Sequence, residues 1–159
     1  MTRAAAANDI PSSILYAVGL TETGKNGVLN PLDLNVEGRS EHSETLPEAL
    51  GKFHAARSRG VRLIDIGCMQ INYHWHARRF TSVESMFDPF DNVNFAARFL
   101  KDLRQREGSW TLAVARYNAG PNNNAAQKKY VCNVVRRMIA TGMGGWTPSS
   151  RKFCDEAKP

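Results

Sequence analysis

Helical periodicity dominates this chain, and only two short stretches alternate with period two. That imbalance limits the fold to a mostly helical domain with one small sheet inserted after the first helix, an α+β arrangement. The first helix is expected from about Ile10 to Thr23, capped by Asp9, with Pro11 tolerated in its first turn and Gly24 as its stop. Ile14, Leu15, Val18 and Glu22 share one face of it, which places a lone carboxylate on an apolar stripe. Two strands follow, Leu32 to Val36 ending at Gly38, and Val61 to Ile66. Between them, Thr45-Leu-Pro-Glu48 has the pattern of a capping box. It precedes a stripe of Leu46, Ala49, Leu50 and Phe53, which Gly60 closes. Ser82 to Phe87 is a short helix ended by Asp88-Pro89. Asp91 caps the next, with the stripe Val93, Ala96, Ala97, Leu100 and Leu103. Ser109 opens a helix running to Asn118, and Ala125 to Thr141 is the last.

At 159 residues and 42% hydrophobic, the chain can build one domain with its own core. The expected organisation is a single domain over 1–159, with its core at about 10–141 and a Gly/Pro/Ser-rich tail at 142–159. No run approaches the roughly 18 apolar residues of a membrane span, and Thr2 to Asp9 lacks the apolar centre of a signal peptide. The net charge of +6 favours a polyanionic partner: nucleic acid, a membrane surface or a cell-wall polymer. Its cations are scattered (Arg57, Arg59, Arg78, Arg79, Lys128, Lys129, Arg136, Arg137), so charge alone does not choose among these. Three cysteines allow at most one internal disulfide. A Cys132–Cys154 bridge would pin the tail to the body, the alternative being three reduced thiols. Cys68, in an apolar setting, reads as a buried free thiol.

A carboxylate on an apolar face is hard to ionise, the property a proton donor needs at neutral pH. Glu22 is therefore the candidate general acid, set against the plainer reading of a helix-end glutamate turned to water or paired with Lys25. In Gly67-Cys-Met-Gln-Ile-Asn72, Gly67 allows a close approach, Met69 can line an irregular groove, and Gln70 and Asn72 offer amides suited to sugar hydroxyl and acetamido groups. A tight strand-to-helix turn is the structural alternative. Tyr117 and Asn118 end a helix in a segment that also has good helix-stop chemistry. Tyr130, on an apolar face, needs a hydroxyl partner if buried, and Glu22 is a candidate for it. His74 and His76 flank Trp75 without the further ligands a metal site requires. There is no phosphate loop, no serine elbow, and no basic neighbour to activate Cys68.

Together these stretches resemble the soluble lytic transglycosylase family, whose catalytic domain is lysozyme-like of the goose type. The match covers roughly Ile10 to Ile139. Leu20-Thr-Glu22-Thr-Gly24 is similar to that family's Glu-Ser-Gly segment, with Thr23 in place of serine. Gly67-Cys-Met-Gln-Ile-Asn72 resembles its Gly-Leu-Met-Gln motif. Phe87-Asp-Pro89, Asn92-Val93 and Ala96-Ala-Arg-Phe-Leu100 resemble the segment that follows. Ala115-Arg-Tyr-Asn-Ala-Gly120 matches its Tyr-Asn-Ala-Gly motif, and Tyr130-Val131 its late tyrosine. The long stretch from Glu22 to Gly67 departs from the pattern and is similar to enzymes that open peptidoglycan for secretion systems or flagella.

The resemblance implies a cofactor-free, monomeric periplasmic enzyme acting on peptidoglycan glycan strands, with no nucleic-acid partner and no metal. Glu22 would protonate the leaving oxygen of the β-1,4 bond between N-acetylmuramic acid and N-acetylglucosamine. It would then take the proton of the muramic 6-hydroxyl as the 1,6-anhydro ring closes. Thr23, Gly67, Met69, Gln70, Asn72, Tyr117, Asn118 and Tyr130 would hold the substrate. Ordinary glycosidases use two carboxylates, and the goose-type lysozymes carry an aspartate where this chain has Asn72. The amide favours the anhydro product, while Asp33, Glu37 and Asp65 keep a lysozyme-like hydrolysis open. A glycan-binding module without turnover, and a nucleic-acid binder lacking a docking element, are the alternatives from other classes.

Overall fold

The computed structural model describes residues 1–120 and 122–155. They form a mostly helical α+β fold, with a small four-stranded antiparallel sheet among the described residues. The chain groups into two compact units, one of residues 1–21 with 97–159 and one of residues 22–96.

The unit of residues 22–96 holds the sheet. β1 (Leu34–Val36) and β2 (Arg39–Glu41) form a hairpin whose two turn residues, Glu37 and Gly38, both have positive φ, as a primed two-residue turn requires. β3 (Ile64–Ile66) pairs with β1, and β4 (Ile71–Asn72) with β3, giving the order β2-β1-β3-β4. Register fixes the two faces. Leu34 lies opposite Ile66 and Val36 opposite Ile64, and all four are buried with at most 1% exposure. Burying four branched side chains as facing pairs stabilises the sheet by several kcal/mol, at ~1.5–3 kcal/mol each. α3 (Leu46–Ser58) contributes Ala49, Phe53 and Ala56 to this core, and α5 (Val83–Phe87) contributes Met86 and Phe87.

Caps explain most helix boundaries. Thr45 Oγ1 accepts from Glu48 N at the start of α3, but the Glu48 carboxylate accepts from Glu44 N, so only half of the expected box forms. Ser82 and Ser85 make a reciprocal box on α5. α4 (Tyr73–His76) and a 3₁₀ turn (Ala77–Arg79) follow β4, in a stretch without helical periodicity. α6 (Pro89–Glu107) is capped by Asp88, not by Asp91: the Asp88 Oδ1 accepts from Phe90 N and Asp91 N. Pro89 occupies the first helical position, where its missing N–H costs nothing.

In the other unit, α1 (Thr2–Ala7) arises from the alanine run and buries Ala4 and Ala5. α2 (Ser12–Glu22) begins where the Pro11 carbonyl accepts from Ile14 N and Leu15 N. Asp9 does not cap it. That residue takes a left-handed φ of 52°, and its carboxylate lies 3.1 Å from Lys101 Nζ. α7 (Trp110–Asn118) is capped by Ser109, and α8 (Asn124–Ala140) by Asn123. The stretch expected to be a tail contains α9 (Pro148–Asp155), tied to α8 by the Cys132–Cys154 disulfide.

Candidate active site

Glu22 is the last residue of α2 and is half-buried. The chain beyond it is fixed at once. Thr23 is 6% exposed, and its hydroxyl donates to the Cys68 carbonyl at 2.9 Å while accepting from Asn30 N at 3.2 Å. Threonine here is a brace, committed on both sides, and its bond to Cys68 ties the backbone after Glu22 to the bend at Gly67–Asn72.

That bend is a built object. Gly67 N donates to the Asp33 carbonyl at 2.9 Å, and Gln70 N closes the turn on the Gly67 carbonyl at 3.0 Å. Gln70 takes a left-handed φ of 48°, which costs a non-glycine residue on the order of 1–2 kcal/mol. Its side chain offsets this strain by donating to the carbonyls of Gly67 and Asp33. Gly67 has a φ of 79°, and a Cβ there would lie 2.7 Å from Asn92 Nδ2 and 2.9 Å from the Met86 carbonyl. The close approach it permits is by the protein's own atoms. Gly67→Ala should therefore destabilise the domain by roughly 2–4 kcal/mol, combining the left-handed cost with overpacking against a fixed backbone. A thermal melt of the variant checks this; an unchanged midpoint would contradict it.

Asn92 is the residue that sequence reasoning left without a role. It is fully buried; its Oδ1 accepts from Met69 N at 2.8 Å, and its Nδ2 donates to the carbonyls of Ile66 and Met86 at 2.9 and 2.8 Å. One amide thus clamps both arms of the bend and the end of α5. The available signal was an asparagine at helical spacing from Phe95 and Ala96, on the buried face of its helix. Met69, expected to line a groove, is fully buried, and its thioether fills the core of this unit. Cys68 is a buried free thiol, and burial pushes its pKa up to about 11, so it stays protonated and inert.

Strand register assembles a second polar feature. On the face opposite Leu34 and Ile66, Ser40 lies across from Asn35, Asn35 from Asp65, and Asp65 from Asn72. Hydroxyl, amide, carboxylate and amide thus run across the four strands at the ladder spacing of about 4.8 Å. Asn72 Nδ2 donates to Asp65 Oδ1 at 2.7 Å. The Asn72 Oδ1 is buried and has no partner among the described residues, an unmet acceptor worth about 1–3 kcal/mol. Partial burial holds the Asp65 carboxyl above the usual aspartate range, against the lowering effect of the Asn72 bond. Asp33 lies apart from this row, its carboxylate 2.7 Å from His42 Nδ1, and Glu37 is exposed in the hairpin turn.

In the unit of residues 1–21 with 97–159, Tyr117 lies half-buried in the last turn of α7, its ring centroid 5.7 Å from that of Phe99, and Asn118, which ends the helix, is exposed. Tyr130 is 6% exposed on α8. The end of α7 is held by Arg116, whose Nε lies 3.3 Å from Glu107 Oε2. Buried Gln127 donates to the Gly120 carbonyl.

Comparison with curated proteins and with solved structures returns no match. A family model does match: the transglycosylase SLT domain, over residues 1–137, which takes in α1 to most of α8 and every motif described above. With that span, and with the glutamate, bend and tyrosine segments in their order, the chain belongs to the transglycosylase SLT domain family, lytic transglycosylases that act on peptidoglycan.

Proposed function

We propose that this chain cleaves the β-1,4 bond between N-acetylmuramic acid and N-acetylglucosamine, with Glu22 as the single catalytic acid and then base, and releases a 1,6-anhydromuramic end. The observation that carries the reading is the tie between Thr23 and Cys68, which holds the helix end bearing Glu22 to an amide-rich bend. Glu22 protonates the departing glycosidic oxygen as positive charge grows at the anomeric carbon. The resulting carboxylate then accepts the proton of the muramic 6-hydroxyl while that oxygen closes on the anomeric carbon. The bond broken is C1–O4 and the bond formed is C1–O6; the proton count returns Glu22 to its starting state. Acid–base help of this kind is worth about 10² to 10⁴ in rate, and an internal nucleophile adds the advantage of proximity. Gln70, Asn72, Tyr117, Asn118 and Tyr130 keep the substrate-binding role that the family resemblance implies for them. The location proposed is the periplasm, and the role wall remodelling for an envelope-spanning machine.

A second reading is favoured by one observation: a half-buried carboxyl, Asp65, next to Asn72. As a second carboxylate it would make the enzyme a hydrolase. Asp65→Asn separates the two, because the amide oxygen still accepts from Asn72. Under the single-glutamate mechanism, turnover of peptidoglycan should stay within about tenfold of wild type. A loss beyond about 10² would move the assignment to hydrolysis.

The same variant has a signed effect on stability. A folded-state pKa above the unfolded value makes Asp65 favour folding below the unfolded pKa of about 3.8, an advantage lost as pH rises through the raised value. The Tm of Asp65→Asn relative to wild type should therefore increase from pH 4 to pH 7. A difference that is flat or falling would contradict the desolvation of this group.

A further inference from the structure

One ring nitrogen stands between two side chains. His42 Nδ1 lies 2.7 Å from Asp33 Oδ1 and 2.6 Å from Asn30 Nδ2. We propose that His42 is a positioning residue for glycan binding, donating from Nδ1 to Asp33 and so fixing the acceptor on which the Gln70 side chain is set. The inference rests on the reading that Gln70 binds the glycan.

All of these residues belong to the unit of residues 22–96. Asp33 immediately precedes β1, and its carbonyl accepts from Gly67 N at 2.9 Å and from Gln70 Nε2 at 3.3 Å. Gln70 Nε2 also donates to the Gly67 carbonyl at 3.0 Å. That commits the amide nitrogen and leaves Oε1 as the acceptor for a sugar hydroxyl or acetamido N–H. The position of Asp33 therefore decides the aim of that oxygen. His42 is exposed, but its backbone is held. Its carbonyl accepts from Lys52 Nζ, which also reaches the buried Ser43 hydroxyl at 3.2 Å and pairs with Glu48 at 2.6 Å.

The ring hydrogen decides which side chain His42 holds. A ring nitrogen donates or accepts in its plane and does not do both. The Asn30 amide cannot turn over without giving up Leu32 N, which donates to its Oδ1 at 3.0 Å. Hydrogen on Nδ1 thus binds Asp33 and releases the Asn30 side chain. Hydrogen on Nε2 lets Nδ1 accept from Asn30 and turns its lone pair on the carboxylate. The first arrangement wins. A bond to a carboxylate is about twice as strong as a neutral one, and the Asp33 side chain, 16% exposed, has no other donor among the described residues. Asn30 keeps its backbone bond to the Thr23 hydroxyl in both arrangements.

Two measurements on the intact chain test the proposal. Long-range proton–nitrogen NMR, at a pH where the ring is neutral, should find the His42 hydrogen on Nδ1. Asp33→Ala should move it to Nε2, and Asn30→Ala should leave it in place. Calorimetry on the Glu22→Gln protein, with peptidoglycan solubilised by sonication, reads the consequence for binding. His42→Ala should weaken that binding about tenfold, the effect of one lost bond to a charged group, with an unchanged helical spectrum. His42→Asn, whose amide donates to Asp33 from the place of Nδ1, should bind within about threefold of the parent. A merely structural role would lower Tm and the fraction of competent protein, and would leave Kd where it was. Gln70→Ala separates the two readings: undiminished binding there removes Gln70 from the glycan site, while the ring hydrogen still reports the hold on Asp33. Hydrogen on Nε2 in wild type, or an unchanged Kd in His42→Ala beside a weakened Gln70→Ala, would overturn the proposal.

Discussion

Glu22→Gln is expected to remove peptidoglycan cleavage, by a factor of at least about 10² to 10⁴, while leaving the domain folded. Glutamine preserves the length and shape of the side chain and offers an amide where the carboxyl stood, but it has no proton to transfer on the timescale of catalysis. Because one residue is assigned both the acid and the base step, the substitution disables both. No second carboxylate takes over in the mechanism proposed. The stability side is as specific: Glu22 closes α2 half-buried, and an uncharged replacement of equal size should move Tm by no more than a few degrees. A peptidoglycan zymogram and a thermal melt on the same preparation check both halves. A clear zone around the variant would remove Glu22 from the chemistry. A clear zone absent from wild type as well would favour a glycan-binding module without turnover.

Asn92→Ala should be the most damaging single change to the fold outside the large core side chains. It strips partners from Met69 N and from the carbonyls of Ile66 and Met86, all held by one buried amide. Each buried group left unmet costs about 1–3 kcal/mol. Some relaxation and water entry will soften the sum, leaving a loss of roughly 3–5 kcal/mol, a large part of the 5–15 kcal/mol by which domains are stable. Asn92→Asp should be no better. It keeps the acceptor for Met69 N but turns a negative oxygen toward two carbonyls, in a site with no exposed surface. Urea unfolding of the two variants measures this; a midpoint within experimental error of wild type for either would show that the amide is not the clamp. Because Asn92 fixes the bend rather than touching the reaction, variants that remain folded should lose substrate affinity before turnover.

Local signals carried much of this architecture. Helices announced by a hydroxyl or amide cap and an apolar stripe, such as those opened by Ser82 and Ser109, lie where their caps place them. Two caps moved. Asp88 outcompetes Asp91 because a proline at the first helical position lets the residue before it receive the free N–H groups. Asp9 is drawn instead to Lys101, a contact across ninety-two positions that no local window contains. Elements without apolar period were missed. Arg39-Ser-Glu41 is a polar edge strand held only by its hairpin, and α9 hides in a Gly/Pro/Ser-rich stretch behind the Thr147–Ser150 box and a disulfide.

The candidate site divides the same way. The bend at Gly67 was legible as a glycine inside an apolar run, and Glu22 stood out as a charge on an apolar face whose catalytic role is the proposal above. The roles of Thr23, Met69 and Asn92 were not, because they depend on which distant backbone each side chain reaches. The row of Ser40, Asn35, Asp65 and Asn72 depends on register, and register is set by Leu34 and Val36 choosing their buried partners.

The central claim is that one glutamate drives an internal ring closure rather than attack by water, and the mass of the products tests it most directly. Digested peptidoglycan analysed by mass spectrometry should yield muropeptides lighter by one water than the hydrolysed forms, with 1,6-anhydromuramic ends. A digest containing only reducing-end muropeptides would contradict the account and make water, activated by a second carboxylate, the nucleophile.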